Sequence, residues 1–135
     1  MEKEFVPYEL AVKLKELGFD EPCLFLYNST DDDPKPFLAN PADATDWNTL
    51  YVHRTNKHLM SAPTYSQAFR WFREKYHIIG EVKFKGGKTT KTAWYDYVIY
   101  SEIDWNDENP SKQWKKHEEA QLACLEKLIE IVESK

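Results

Sequence analysis

The segment from residue 62 to residue 76 constrains the fold most, because it shows where a helix begins and which side it buries. Thr64 can cap the first turn, and Gln67, three residues later, completes a capping box. Pro63 stops any helix that arrives from upstream. An apolar stripe follows at helical spacing: Tyr65, Ala68, Phe69, Phe72 and Tyr76. The sequence therefore predicts an amphipathic helix over 64–76, with Phe69 and Phe72 in the core.

Two more helices are predicted near the ends of the chain. The first runs from about residue 7 to residue 17, where Gly18 ends it and Phe19 is placed to fold back on Leu14 in a Schellman motif. The second covers about 115–132 and has an apolar stripe wide enough to cover a sheet. Its expected core residues are Leu122, Leu125 and Ile129.

Strands are predicted on both sides of the central helix. Residues 23–27 form a short apolar run, and 36–39 can return as its partner after a polar turn. Residues 78–85 alternate, with Val82 and Phe84 on one face and Lys83 and Lys85 on the other. Gly86-Gly87 predicts a two-residue hairpin turn, followed by a strand over 89–103 whose odd positions are the more apolar.

These elements give the predicted order α-β-β-(irregular)-α-β-β-α. The irregular part is 40–61, in which 47–52 could be either a strand or a packed loop. The expected fold class is therefore α+β, with helices packed on antiparallel strands in a single domain over 1–135.

Composition limits the class of function. The net charge is -5, and one basic segment, 70–91, carries seven basic and two acidic residues. An acidic chain with one basic segment does not indicate general affinity for nucleic acid. Only two cysteines are present, without metal spacing, and the start of the chain lacks the pattern of a signal peptide. No apolar stretch has membrane-spanning length, so we expect no membrane association and a cytoplasmic location.

No catalytic or metal motif is complete. His53-Arg54-Thr55 is one His-x-Thr triplet, whereas two-histidine phosphoesterases use two. His53 and His58 are too far apart to form a helical i, i+4 metal pair. The aspartates of 31–33 lack the glycine and glutamate of an EF-hand loop, and Cys124 lies in an apolar stripe. The sequence therefore predicts a protein that is not an enzyme, with no cofactor and no metal.

Two hypotheses on binding remain open. Trp71 lies off the helical stripe between Arg70 and Arg73, which is typical of an interface anchor, although it could also pack against 40–61. The preferred hypothesis is a non-catalytic accessory protein that contacts a protein partner or forms a homo-oligomer. The alternative is a nucleic-acid-binding module. The candidate binding residues are Arg70, Trp71, Arg73, Lys83, Lys85 and Lys88, with Lys91 added for nucleic acid.

A further set of aromatic residues lies around the second predicted hairpin. It comprises Trp94, Trp105 and Trp114, which form either an exposed patch or the lid of a small cluster.

Three stretches of the chain, 8–23, 62–76 and 119–130, together resemble a family of short uncharacterised proteins from gut bacteria and their phages. This resemblance implies an accessory protein of a phage or mobile element, and it carries over no functional residue.

Residues 64–132 also resemble the double-stranded-RNA-binding domain, which runs helix, three-stranded sheet, helix. Lys115 and Lys116 at the start of the last helix are similar to the lysines with which that family contacts phosphates. Glu118 and Glu119 depart from that pattern, only two strands are evident, and the hairpin loop lacks the family's proline and histidine. The resemblance implies the nucleic-acid alternative.

Overall fold

A computed structural model describes residues 2–38, 58–89, 91–101 and 113–134. These residues form helices and antiparallel strands in an α+β fold, as predicted. After a short 3-10 helix over Glu2–Glu4, the elements are α1 (Tyr8–Glu16), β1 (Phe25–Asn28), β2 (Phe37–Leu38), β3 (Leu59–Ser61), α2 (Tyr65–Tyr76), β4 (Ile78–Gly86), β5 (Trp94–Ser101) and α3 (His117–Glu133). Strand β3 lies in the segment 40–61, which was predicted to be irregular. The possible strand at 47–52 lies outside the described residues.

The chain divides into two compact units, Met1–Ala68 and Phe69–Lys135, and the division falls inside α2. The predicted single-domain organisation stays a prediction, and the two units are described separately.

The first unit is built on a three-stranded antiparallel sheet of order β2-β1-β3. Helix α1 ends in the predicted Schellman motif: Phe19 N donates to Leu14 O at 2.9 Å, and Gly18 N donates to Lys15 O at 3.0 Å. Gly18 has a φ of 94°, which glycine adopts without strain. Leu14 and Phe19 are fully buried, so this local motif fixes one side of the first core.

The start of α2 belongs to the same unit and forms the predicted capping box. Gln67 N donates to Thr64 Oγ1 at 3.2 Å, and Thr64 N donates to Gln67 Oε1 at 3.0 Å. The Gln67 amide also donates to Pro22 O at 3.0 Å. The cap therefore ties α2 to the segment that precedes β1.

The second unit is a β4–β5 hairpin covered on one face by α3. In its register Gly80 faces Ile99, Val82 faces Tyr97, and Phe84 faces Tyr95. A methyl group placed on Gly80 would lie 2.8 Å from Cys124 Sγ and 3.4 Å from Phe69 Cε1. This face of the hairpin therefore receives both α3 and the second part of α2.

The turn between β4 and β5 differs from the prediction. Strand β4 continues to Gly86 and β5 begins at Trp94, so the connection is longer than two residues. Thr92 Oγ1 accepts hydrogen bonds from Lys88 N at 3.0 Å and Thr89 N at 3.2 Å. Side-chain bonds of this kind compete with strand pairing, which explains why the residues after Gly87 form a loop. Residues 102 and 103 of the predicted strand lie outside the described residues.

The predicted core is partly confirmed. Phe72, Leu125 and Ile129 are buried, but Phe69 and Leu122 are only half-buried. In α2 the buried face is turned away from Phe69 and towards Ala68 and Trp71. In α3 the buried stripe runs through Cys124, Leu125 and Leu128, which leaves Leu122 at its edge.

Candidate functional site

The predicted interface anchor, Trp71, is buried. Its side chain is only 3% exposed, and its ring packs edge-on against Phe72 at 5.1 Å and Tyr76 at 5.3 Å between ring centroids. Lys75 Nζ lies 5.1 Å from the centroid of the Trp71 ring. Of the two interpretations of Trp71, its burial agrees with a packed side chain and not with an exposed anchor, because α2 buries the face that carries Trp71. Arg70 and Arg73 beside it are exposed.

Lys83 takes part in contacts within the hairpin. Its Nζ donates to Tyr100 Oη at 3.2 Å and lies 5.8 Å from the centroid of that ring. Its register partner on β5 is Asp96, which is buried and accepts a hydrogen bond from Tyr97 N at 2.7 Å. Lys83 is half-buried, and these contacts hold it against the face of the sheet opposite Val82.

The six predicted residues do not form one surface. Phe69 brings α2 to the Gly80 face of the hairpin, whereas Lys83 lies on the opposite face. Arg70 and Arg73 are on the exposed side of α2, while Lys85 and Lys88 are exposed at the turn end of the hairpin. Of the six predicted residues, only Lys85 and Lys88 lie at the end of the hairpin that also carries an exposed apolar side chain.

That group is a row of three rings at the turn end of the hairpin. Phe84 and Tyr95 face each other across the strands with ring centroids 6.0 Å apart, and His117 packs edge-on against Tyr95 at 5.5 Å. Phe84 is 60% exposed. Helix α3 begins at His117 and so covers Tyr95 but not Phe84, which leaves the Phe84 ring at the surface.

Backbone hydrogen bonds hold this row in place. Tyr95 N donates to Trp114 O at 2.8 Å, and Trp114 N donates to Tyr95 O at 3.0 Å. This bridge attaches the segment before α3 to β5, and the Trp114 ring packs on Tyr97 at 5.4 Å. The Trp94 indole on β5 lies so close to Gly86 on β4 that a side chain at Gly86 would collide with it. Phe84 and Tyr95 therefore stand on paired strands, although a bulge interrupts the pairing between Phe84 and Gly86.

Five exposed lysines lie close in sequence to the three rings or to Trp114. Lys85 follows Phe84 directly, Lys88 and Lys91 lie in the loop, and Lys115 and Lys116 follow Trp114. Glu118 and Glu119, in the first turn of α3, are the exposed acidic residues nearest in sequence. We call this region the hairpin-end surface; it consists of Phe84, Lys85, Lys88, Lys91, Tyr95, Lys115, Lys116 and His117.

Sequence reasoning found part of this surface. The basic segment and the lysine pair at the start of α3 are visible in the sequence, but Phe84 was placed on the apolar face of its strand. Phe84 does lie on that face, and its exposure depends on where α3 begins. Trp114 is half-buried against Tyr97, and Trp105 lies outside the described residues.

The histidine, cysteine and acidic side chains of the described residues are the groups that could bind a metal or react. Among 2–38, 58–89, 91–101 and 113–134, no three or more histidine, cysteine or acidic side chains are grouped to hold a metal. Burial raises the pKa of the Cys124 thiol to about 12, against a weaker opposing effect of a backbone hydrogen bond at Glu81. The thiol is therefore protonated at neutral pH and is a poor nucleophile. His53 lies outside the described residues.

The comparisons with known proteins gave no match: no family model fits the chain, and no curated protein or solved structure is significantly similar to it. Within the part of the chain that the structure describes, no helix has the length and apolar character needed to cross a membrane.

Proposed function

We propose that this protein is a small non-catalytic accessory protein that acts by binding another protein. The observation that supports the proposal is the hairpin-end surface, where Phe84 is 60% exposed while most other aromatic side chains of the described residues are buried or half-buried. Aromatic side chains are enriched at protein interfaces, and an exposed apolar group with a polar rim is typical of such sites.

The setting of this function is part of the proposal. The resemblance of three stretches to short proteins of gut bacteria and their phages supports an accessory role in a phage or mobile element. Cys23 and Cys124 are both buried and form no disulfide, which fits a reducing compartment such as the cytoplasm.

The arrangement of basic residues favours protein binding over binding to nucleic acid. A duplex needs one continuous positive surface. Here Lys83 is held against its own sheet by Tyr100, and Arg70 and Arg73 lie on α2, away from the hairpin end. The net charge of -5 also opposes approach of a polyanion.

Affinity capture from the source organism tests this proposal. Tagged wild-type protein, Phe84→Ala and a control variant, Ile79→Ala, are compared after nuclease treatment, and captured proteins are quantified by mass spectrometry. Ile79 is a suitable control because it is also exposed, at 43%, but points to the other face of β4. We expect a protein captured by wild type and Ile79→Ala but lost with Phe84→Ala.

A parallel measurement addresses the alternative function. Sedimentation of the purified protein reports self-association, and titrations with duplex RNA, duplex DNA and single strands at two salt concentrations report nucleic-acid binding. Micromolar binding that falls steeply with salt, together with no captured protein, would overturn the proposal.

A further inference from the structure

We infer that the hairpin-end surface binds an acidic segment of the partner protein that also carries an apolar side chain. This inference rests on the proposed function and adds the chemistry of the partner. Three properties of the surface support it: the exposed Phe84 ring, the exposed lysines close to it in sequence, and the position of the nearest glutamates.

The exposed ring gives the partner a single apolar contact. Tyr95 is flanked by Phe84 on one side and His117 on the other, so its ring is half-buried within the row. The Phe84 ring stands at the end of the row. One apolar side chain of a partner can cover it, and this removes apolar area from water, which favours binding.

The exposed lysines set the sign of the partner's charge. Lys85, Lys88, Lys91, Lys115 and Lys116 are all exposed, and each lies within a few residues of Phe84 or of the Tyr95–Trp114 bridge. Within the described residues, none of the five takes part in an ion pair. Five exposed cationic groups close in sequence to an exposed apolar ring are complementary to a segment that carries carboxylates next to an apolar residue.

The same features favour a protein segment over a single-stranded nucleic acid. Proteins that bind single strands usually offer several rings along a positive groove, on which successive bases stack. Here the exposed rings are Phe84 and His117, separated by the half-buried Tyr95, and Glu118 and Glu119 are exposed next to His117. A peptide can direct its carboxylates to the lysines and away from these glutamates. A phosphate backbone, charged at every nucleotide, has no such freedom.

Fluorescence anisotropy with synthetic peptides tests the inference. The probe is a labelled peptide of about twelve residues that contains glutamates around one tryptophan, with matched peptides in which lysines replace the glutamates or serine replaces the tryptophan. Labelled oligothymidine of the same length is the fourth ligand. We expect binding of the acidic tryptophan peptide that weakens by about tenfold between about 50 and about 300 mM NaCl, and weaker binding of the other three ligands.

Protein variants then locate the binding. Lys85→Glu with Lys88→Glu is expected to weaken the acidic peptide by at least about tenfold, and Phe84→Ala by about fivefold or more. The matched controls are Arg70→Glu with Arg73→Glu for charge and Ile79→Ala for apolar area, and each should change the affinity by less than about twofold. Every substituted residue is exposed, so circular dichroism should show that all the variants fold.

Three results would overturn the inference: no binding of the acidic peptide, equal losses in the control variants, or tighter binding of oligothymidine. If the peptide fails while affinity capture still loses its protein with Phe84→Ala, the proposed function stands and the acidic chemistry of the partner is wrong. If capture fails as well, the proposed function falls with it.

Discussion

At the scale of single residues, Gly80 shows how closely α3 approaches the hairpin. A methyl group at this position would lie 2.8 Å from Cys124 Sγ and 3.0 Å from Leu128 Cδ1, so these side chains would have to shift. Both belong to the buried stripe of α3. The absence of a side chain at residue 80 therefore sets the distance between helix and sheet.

Gly80→Ala is expected to destabilise the protein by about 1–2 kcal/mol, measured by urea unfolding. Overpacking costs about 1–3 kcal/mol, and the reduced freedom of the unfolded chain returns somewhat less than 1 kcal/mol. In a double-mutant cycle with Cys124→Ala, which removes the sulfur, the combined loss should be smaller than the sum of the single losses. Additive losses would show that the sulfur does not limit the space at Gly80.

Cys124 itself predicts a dependence of stability on alkaline pH. Its pKa rises from its ordinary value of 9.0 to about 12 in the folded protein, mainly because burial disfavours the thiolate. Above pH 9 the unfolded chain loses the thiol proton and the folded chain keeps it, so this contribution is complete below pH 9 and is lost as the pH rises towards 12.

The comparison of wild type with Cys124→Ala isolates this contribution from other groups that titrate at high pH. Between about pH 7.5 and about pH 10, wild type should lose on the order of 1 kcal/mol more unfolding free energy than the variant. Equal losses in both proteins would show that the thiol is not shielded from water.

At the scale of helices and strands, the elements that sequence predicts well are those closed by contacts between near neighbours. The capping box of α2 and the Schellman motif of α1 involve residues three to five positions apart, and both form as predicted. The β4–β5 turn was predicted wrongly because the hydroxyl of Thr92 stabilises a longer loop. The apolar stripe of α2 does not predict which face is buried, since Trp71 off the stripe is buried and Phe69 on the stripe is only half-buried.

In the candidate site, too, the features that depend on single residues could be predicted and those that depend on distant elements could not. Its lysines could be predicted, since charge is a property of the residues alone. The exposure of Phe84 could not, because it depends on α3 starting at His117 and covering Tyr95 instead.

The capping box predicts a cost for removing its hydroxyl. Thr64→Ala should lower the unfolding free energy by about 1 kcal/mol, because Gln67 N loses its acceptor at the helix start. Thr64→Ser keeps the hydroxyl and should cost clearly less. A serine variant as unstable as the alanine variant would indicate that the threonine methyl group, rather than the cap, stabilises this end of α2.

At the scale of the whole molecule, the open question is whether the two compact units unfold together. The division between Ala68 and Phe69 falls inside α2, so each unit contains part of one continuous helix. Unfolding of either unit removes turns from that helix, and short isolated helices are only marginally stable in water. We therefore expect one cooperative transition, in agreement with the predicted single domain.

The two buried cysteines can show whether the two units unfold together, since Cys23 lies in the first unit and Cys124 in the second. In Cys124→Ala the remaining thiol reports the first unit, and in Cys23→Ala it reports the second. Thiol labelling against urea should give the same midpoint as circular dichroism within each variant, because a cooperative transition exposes both cores together. A thiol that becomes reactive at a clearly lower urea concentration than the loss of helix would show that its unit opens independently, and the chain would then be two domains that share a helix.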